Sequence, residues 1–129
     1  MKIEISIGEL VDKITILQIK IERIKDAQKI FNVKKEYEIL KTYLSETSIN
    51  EHSILYIDLK KINEALWEIE DKIRIKEQKK EFDEDFIQLA RSVYYKNDVR
   101  SEIKKEINLI TGSKLIEEKE YVDYKNKSI

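Results

Sequence analysis

Two glycines and no proline in a chain of 129 residues leave almost nothing to interrupt a helix. Glycine supplies the positive φ of tight turns, proline stops helices, and a small β fold needs turn residues at every hairpin. Average usage is about 7% glycine and about 5% proline, so this scarcity predicts long helices with short connections. The expected fold class is mainly α, a bundle of about four helices in a single domain over residues 1–129. A chain of this length holds one hydrophobic core.

Apolar spacing and capping residues locate the helices. "SIGE" places Ser6 as N-cap and Glu9 three positions into the helix, a capping box. Helix 1 is predicted over residues 7–26, with Leu10, Ile14, Leu17, Ile21 and Ile24 on one seam and Ile16 and Ile19 on the opposite side. A helix apolar on both sides is central in its bundle or shared with a partner subunit, and the second option predicts a homodimer. Helix 2 is predicted over residues 28–45 with Phe31, Tyr37, Leu40 and Leu44, and "SETSINEHS" is the most polar connection and reads as a loop. Helix 3, residues 54–79, carries Leu55, Leu59, Ile62, Leu66, Ile69 and Ile73 in a heptad-like stripe. It is expected to form a long antiparallel, coiled-coil-like pair with helix 1. Helix 4 runs over residues 84–111, capped by Asp83 and closed by Gly112, or breaks near residues 96–98, where Asn and Asp are poor helix formers. "MKIEI" reads as a short strand or an extended arm. Residues 113–129 read as a tail that packs back on the bundle and frays at "KNKSI".

The charges exclude several classes of function. Lys and Arg total 25 against 26 Asp and Glu, a formal net charge of -1. A duplex nucleic-acid binder carries a net basic footprint, and a membrane-surface protein a polybasic one, so neither partner is expected. No apolar run approaches the ~18 residues of a membrane span, and the N-terminus lacks a signal-peptide core. The expected compartment is the cytoplasm. With no cysteine and a single histidine, His52, in a polar loop, no disulfide, thiolate metal site or histidine cage is available. There is no phosphate-binding glycine loop and no nucleophile elbow, and no cofactor is implied.

Lysine outnumbers arginine 21 to 4, and isoleucine outnumbers alanine 23 to 3. In a chain so biased toward lysine, the remaining Arg23, Arg74, Arg91 and Arg100 gain interest, because lysine cannot reproduce a planar bidentate grip on carboxylate or phosphate. Arg100 lies in the most anomalous segment. The apolar stripe Phe86, Ala90, Val93 of helix 4 continues at helical spacing into Asn97, Arg100, Lys104 and Asn108, all within about 40° of Phe86 on the wheel. Three readings are open. The apolar seam shifts and the polar set faces water; or the set lines an anion-recognising pocket, with Arg91 and Arg74 as further candidates; or it pins the C-terminal tail through Glu118 and Tyr121. Trp67, in "LWEIEDKIR", is a wall for a base or sugar or a cover at the core edge. Glu70 and Arg74 form an i, i+4 pair that supports the helix without any further role.

Two catalytic patterns are partial. "EIED" has the E-x-x-D of all-α nucleotide pyrophosphohydrolases, but the second acidic pair, "EFDE", lies at a turn, so no metal site is expected. "GELVDKITILQIKIERI" resembles the first helix of small all-α chorismate mutases in heptad pattern alone, without that family's catalytic arginines. The chain as a whole is similar to another family. "IEISIGELVDKITILQIKIERI", "LWEIEDKIR" and "FIQLARSVYYKNDVRSEIKKEINLITGSKLIEEKEY" resemble, in order and spacing, domain of unknown function family 6165. The resemblance implies that Glu9, Asp12, Lys13, Arg91, Asn97, Asp98, Arg100, Lys104, Asn108, Ser113, Glu118, Lys119 and Tyr121 are specified positions. It implies no activity.

The expected function is therefore a non-enzymatic helical module, homodimeric, that binds an anionic small molecule or a partner protein. The alternative is a small all-α enzyme on a phosphorylated or carboxylated substrate, with Arg100 and Lys104 stabilising charge and Glu70 or Glu118 as general base.

Overall fold

The computed structural model describes residues 1–125 and contains four helices, α1 (Ile7–Arg23), α2 (Ala27–Leu44), α3 (Ile54–Lys79) and α4 (Glu84–Thr111). Each start has a local cause. The Glu9 N–H donates to Ser6 Oγ at 3.1 Å, the Lys29 N–H to Asp26 Oδ1 at 2.9 Å and the Phe86 N–H to Asp83 Oδ1 at 3.0 Å. These side chains satisfy donors that a helix leaves orphaned in its first turn. Ser53 caps α3 by backbone alone, its hydroxyl instead accepting the Asn50 N–H at 3.0 Å. Gly112, at φ 65°, closes α4, a left-handed conformation suited to glycine.

Helices 3 and 4 have the bounds expected from sequence, and α4 runs unbroken through Asn97. Helix 1 ends at Arg23, three residues early, because Ile24 turns extended at ψ 136° to free Asp26 as the cap of α2. The arm at residues 1–5 has no regular secondary structure, and no strand forms among the described residues. The tail lies against α4 without regular structure; most of the stretch expected to fray falls on residues 126–129, outside the described residues.

Helix α1 is the hub and touches all three others, whereas α2 packs on α1 alone. The core gathers Leu10, Val11 and Ile14 of α1, Leu44, Ile49, Tyr56 and Leu59, with Ile107 of α4. Tyr56 donates its hydroxyl to Gln18 Oε1, and the Gln18 amide reaches Tyr37 Oη at 3.3 Å, which ties α3, α1 and α2 together. The longest shared seam belongs to α3 with α4, so the α3 stripe faces α4 as well as α1. The second apolar side of α1 is not left for a partner: Ile19 is 1% exposed and Ile16 half-buried within the chain's own packing. At about 1.5 Å per residue, the 26 residues of α3 and 28 of α4 outrun the 17 of α1. The tip of the α3–α4 hairpin, around Lys80, is joined by no other helix.

Candidate functional site

The polar stripe of α4 faces α1, with Asn97 and Arg100 half-buried and Lys104 and Asn108 buried. Asn108 is 2% and Lys104 8% exposed, the most buried polar groups of the helix. Asn108 Oδ1 accepts the Gly8 N–H at 2.6 Å, and Ser113 Oγ accepts the Ile7 N–H at 3.0 Å across 106 residues of sequence. With Ser6 serving Glu9, the first-turn donors of α1 are satisfied, two of them by the far end of the chain. Gly8 makes this approach feasible, since a Cβ there would stand 2.4 Å from the Lys104 carbonyl oxygen and 2.9 Å from Asn108 Oδ1.

One turn further along α1, Asp12 is 1% exposed and fully partnered. Its Oδ1 accepts from Arg100 Nε at 2.9 Å and from Asn63 Nδ2 at 2.9 Å, its Oδ2 accepts from Arg100 Nη2, and Lys104 Nζ stands 3.5 Å away. This is the bidentate fork that lysine cannot make. Burial pushes the Asp12 carboxyl up, but hydrogen bonds from Arg100 and Asn63 and the charges of Arg100 and Lys104 outweigh it and hold the group below the ordinary aspartate range. Lys104 shows the mirror case. Burial pulls its ammonium down, while the hydrogen bond it donates to Glu9 at 2.7 Å and the charges of Asp12, Glu9 and Glu117 raise it above its ordinary value. Arg100 is raised as well, chiefly by its hydrogen bond to Asp12. Asn63 adds a bond to Thr15 Oγ1 at 3.0 Å, so three helices meet at one carboxylate.

The tail takes part, through residues other than those expected. Glu117 reaches Lys104 at 3.4 Å, whereas Glu118 pairs with Lys105 at 3.5 Å and Tyr121 is 71% exposed. The firmer anchor is Tyr124, whose hydroxyl donates to Asp98 and whose ring stacks edge-on against Tyr94 and Tyr95 with centroids at 4.6 and 4.9 Å.

The six candidate residues therefore separate. Lys104 and Asn108 are consumed by α1 and the tail. Arg91 lies apart, on Gln88 at 3.4 Å. Arg74, Asn97 and Arg100 come together at an open cleft of about 480 Å³ between α1, α3 and α4. Ile16, Ile19 and Leu66 give this cleft an apolar lining, beside the half-buried Trp67, and Asn63, Glu70 and Asp71 complete it. Arg100 is oriented there by Asp12 and by Asn97 Oδ1, which accepts from Nη1 at 3.3 Å. Its engaged groups are Nε and one N–H each of Nη1 and Nη2; of the guanidinium's donors, one on Nη1 and one on Nη2 have no protein partner among the described residues. Among the described residues Arg74 is held only by Glu70 at 3.6 Å, with its side chain 79% exposed.

Residues outside the sequence candidates complete the arrangement. Gly8 had a signal, being one of two glycines and placed inside a helix. Asn63 had another, as an amide beside the apolar stripe of α3. Among the described residues, no group of three or more His, Cys, Asp or Glu side chains is placed to hold a metal ion, and no helix is long and apolar enough to cross a membrane.

Comparison with curated proteins returned no match, and neither did comparison with solved structures. The model of a family of unknown function (DUF6165) matches residues 1–127, and the chain belongs to that family.

Proposed function

We propose that this member of DUF6165 is a non-enzymatic binding module of the cytoplasm, homodimeric, whose three-helix cleft takes a small anionic molecule. The observation that carries the reading is Arg100. Its inner edge is fixed by a buried carboxylate, and it retains unpartnered donors at a cleft shared with Arg74 and Asn97. A guanidinium oriented in this way loses little entropy when it grips a second anion. The Ile16, Leu66 and Trp67 surface suits a flat or ring-shaped body, and Glu70 and Asp71 suit hydroxyl donors. A phosphorylated or carboxylated compound bearing a sugar or similar ring fits this chemistry. The lower stripe contributes scaffolding, because Lys104 already faces Glu9, Asp12 and Glu117.

Calorimetric titration with inorganic phosphate, a nucleotide sugar and a dicarboxylate tests the reading. Saturable binding of at least one, weakened tenfold or more in Arg74→Ala and in Asn97→Ala, is expected. Both side chains lie outside the Asp12 pairing, so these variants keep the scaffold. Absence of binding by all three probes, or equal affinity in the variants, contradicts it. Glu70 at the same cleft gives the enzymatic alternative a specific form, with Glu70 as general base and Arg100 stabilising developing charge. Turnover of a bound phosphate ester that disappears in Glu70→Gln would favour that alternative.

A further inference from the structure

The outer half of the α3–α4 hairpin carries a surface that the bundle does not use. Ile75 is 49%, Phe82 56% and Ile87 47% exposed, and Phe82 sets its ring edge-on to its neighbour Phe86 at 5.2 Å. An antiparallel pair of helices standing alone leaves a long side of its apolar stripe open. On one side of the hairpin this stripe forms a groove floored by Ile69, Ile75 and Leu89. The groove's rims are opposite in charge. Lys72, Lys76 and Lys79 line the α3 rim, and Glu81 and Asp85 stand on the α4 side. Lys76 is satisfied internally by Asp83 at 2.8 Å and Glu81 at 3.3 Å, but Lys72, Lys79 and Asp85 have no ion pair among the described residues.

A surface with one basic and one acidic rim is complementary to itself. Rotation by a half turn about an axis running along the hairpin lays α3 of one copy over α4 of the other, with both tips pointing the same way. Basic rim then meets acidic rim twice. Rotation about the perpendicular axis in the interface plane would lay α3 on α3, lysines against lysines, and is disfavoured. The contact is isologous and closes at two copies, and the two hairpins together make a four-helix bundle at the usual shallow crossing angle.

We propose that this groove is the docking surface for a second copy of the chain, α3 of each hairpin lying against α4 of the other. The assignment rests on the homodimer reading above and gives it a location that shares no lining residue with the cleft. It replaces the second side of α1, which the chain covers itself.

Sedimentation equilibrium across the micromolar range tests it, with the 15.5 kDa chain mass as reference. Three proteins are compared: wild type, Ile75→Glu, and Lys72→Glu with Lys79→Glu. Ile75 is half-exposed and both lysines are outside the buried network, so the monomer fold survives each change, which circular dichroism checks. A wild-type dimer is expected, with the dissociation constant raised at least tenfold in both variants. Adding Glu81→Lys and Asp85→Lys to the lysine variant restores dimerisation if α3 faces α4 of the partner. A dimer unaffected by Ile75→Glu overturns the groove and leaves the homodimer standing. A reversed-charge variant that is not rescued overturns the α3-on-α4 arrangement. A wild type that stays monomeric throughout overturns the homodimer itself.

Discussion

The α3–α4 hairpin is covered along one half of its length and bare along the other, and the two halves bury opposite kinds of residue. From Arg100 to Asn108, α4 meets α1 through an arginine, a lysine and an amide, with Lys104 and Asn108 almost inaccessible. Toward the tip, isoleucine and phenylalanine stand about half-exposed. Hydropathy alone would have inverted the assignment. What decides burial here is whether a partner supplies matching groups. Asp12, Glu9 and the first-turn N–H groups of α1 do so for the lower half, and nothing among the described residues covers the exposed apolar groups of the upper. Buried polar groups and exposed apolar patches are the informative exceptions to the inside-outside rule. This hairpin has one of each: the first orients Arg100 at the cleft, and the second leaves an apolar surface exposed.

The contrast can be broken by substitution. Asp12→Ala removes the shared acceptor of Arg100, Asn63 and Lys104, and loss of one side of such a buried pair costs about 3–5 kcal/mol. Ile87→Ser in the bare half should stay within about 0.5 kcal/mol. Urea unfolding of both, at concentrations below any self-association, measures the difference; similar losses would mean the lower half is no more committed than the upper. The same group sets an acid limb. Because the folded state holds Asp12 below its ordinary 3.8, its contribution is fully present above that value and is lost as pH falls through the lower folded value. Asp12→Asn should therefore lose less stability than wild type between pH 4 and more acidic conditions, a shallower slope readable by urea unfolding at a series of pH values.

Gly8→Ala sharpens the account of how α1 reaches α4. The added methyl meets backbone, which cannot rotate away, and overpacking of this kind costs about 1–3 kcal/mol. A melting temperature equal to wild type would show that the helices have room to separate. The smallest expected effect lies at the tip. Lys80 closes α3 at φ 55°, and a non-glycine residue in that region gives up about 1 kcal/mol. Lys80→Gly should raise stability by about that amount without altering the lower half; no gain would mean the lysine side chain compensates through contacts of its own.

How far the sequence reveals this molecule depends on the range of each interaction. Helix ends set by neighbours within four residues were legible: Ser6, Asp83 and Gly112 act as their types predict. The end of α1 was not, because Ile24 carries no stop signal and leaves the helix to release Asp26. The stripe of Asn97, Arg100, Lys104 and Asn108 was legible as an anomaly. Its partners were not, since Asp12 lies 88 residues from Arg100 and a helical wheel cannot distinguish solvent from a facing carboxylate. Asn63 is not legible as a partner of Asp12, because a single amide next to an apolar stripe looks like its solvent edge. The tail's attachment was anticipated in kind, but it uses Glu117 and Tyr124 in place of Glu118 and Tyr121, a choice that side-chain reach makes and spacing does not reveal.

The central claim is that Asp12 fixes the inner edge of Arg100 so that its outer edge can hold an anion. Crystals soaked in inorganic phosphate test it most directly. The expected result is a phosphate within hydrogen-bond distance of Arg100 Nη1 or Nη2 and of Arg74 or Asn97, with the Asp12 pairing retained. A cleft without an anion, while phosphate occupies other sites on the same molecule, would contradict it.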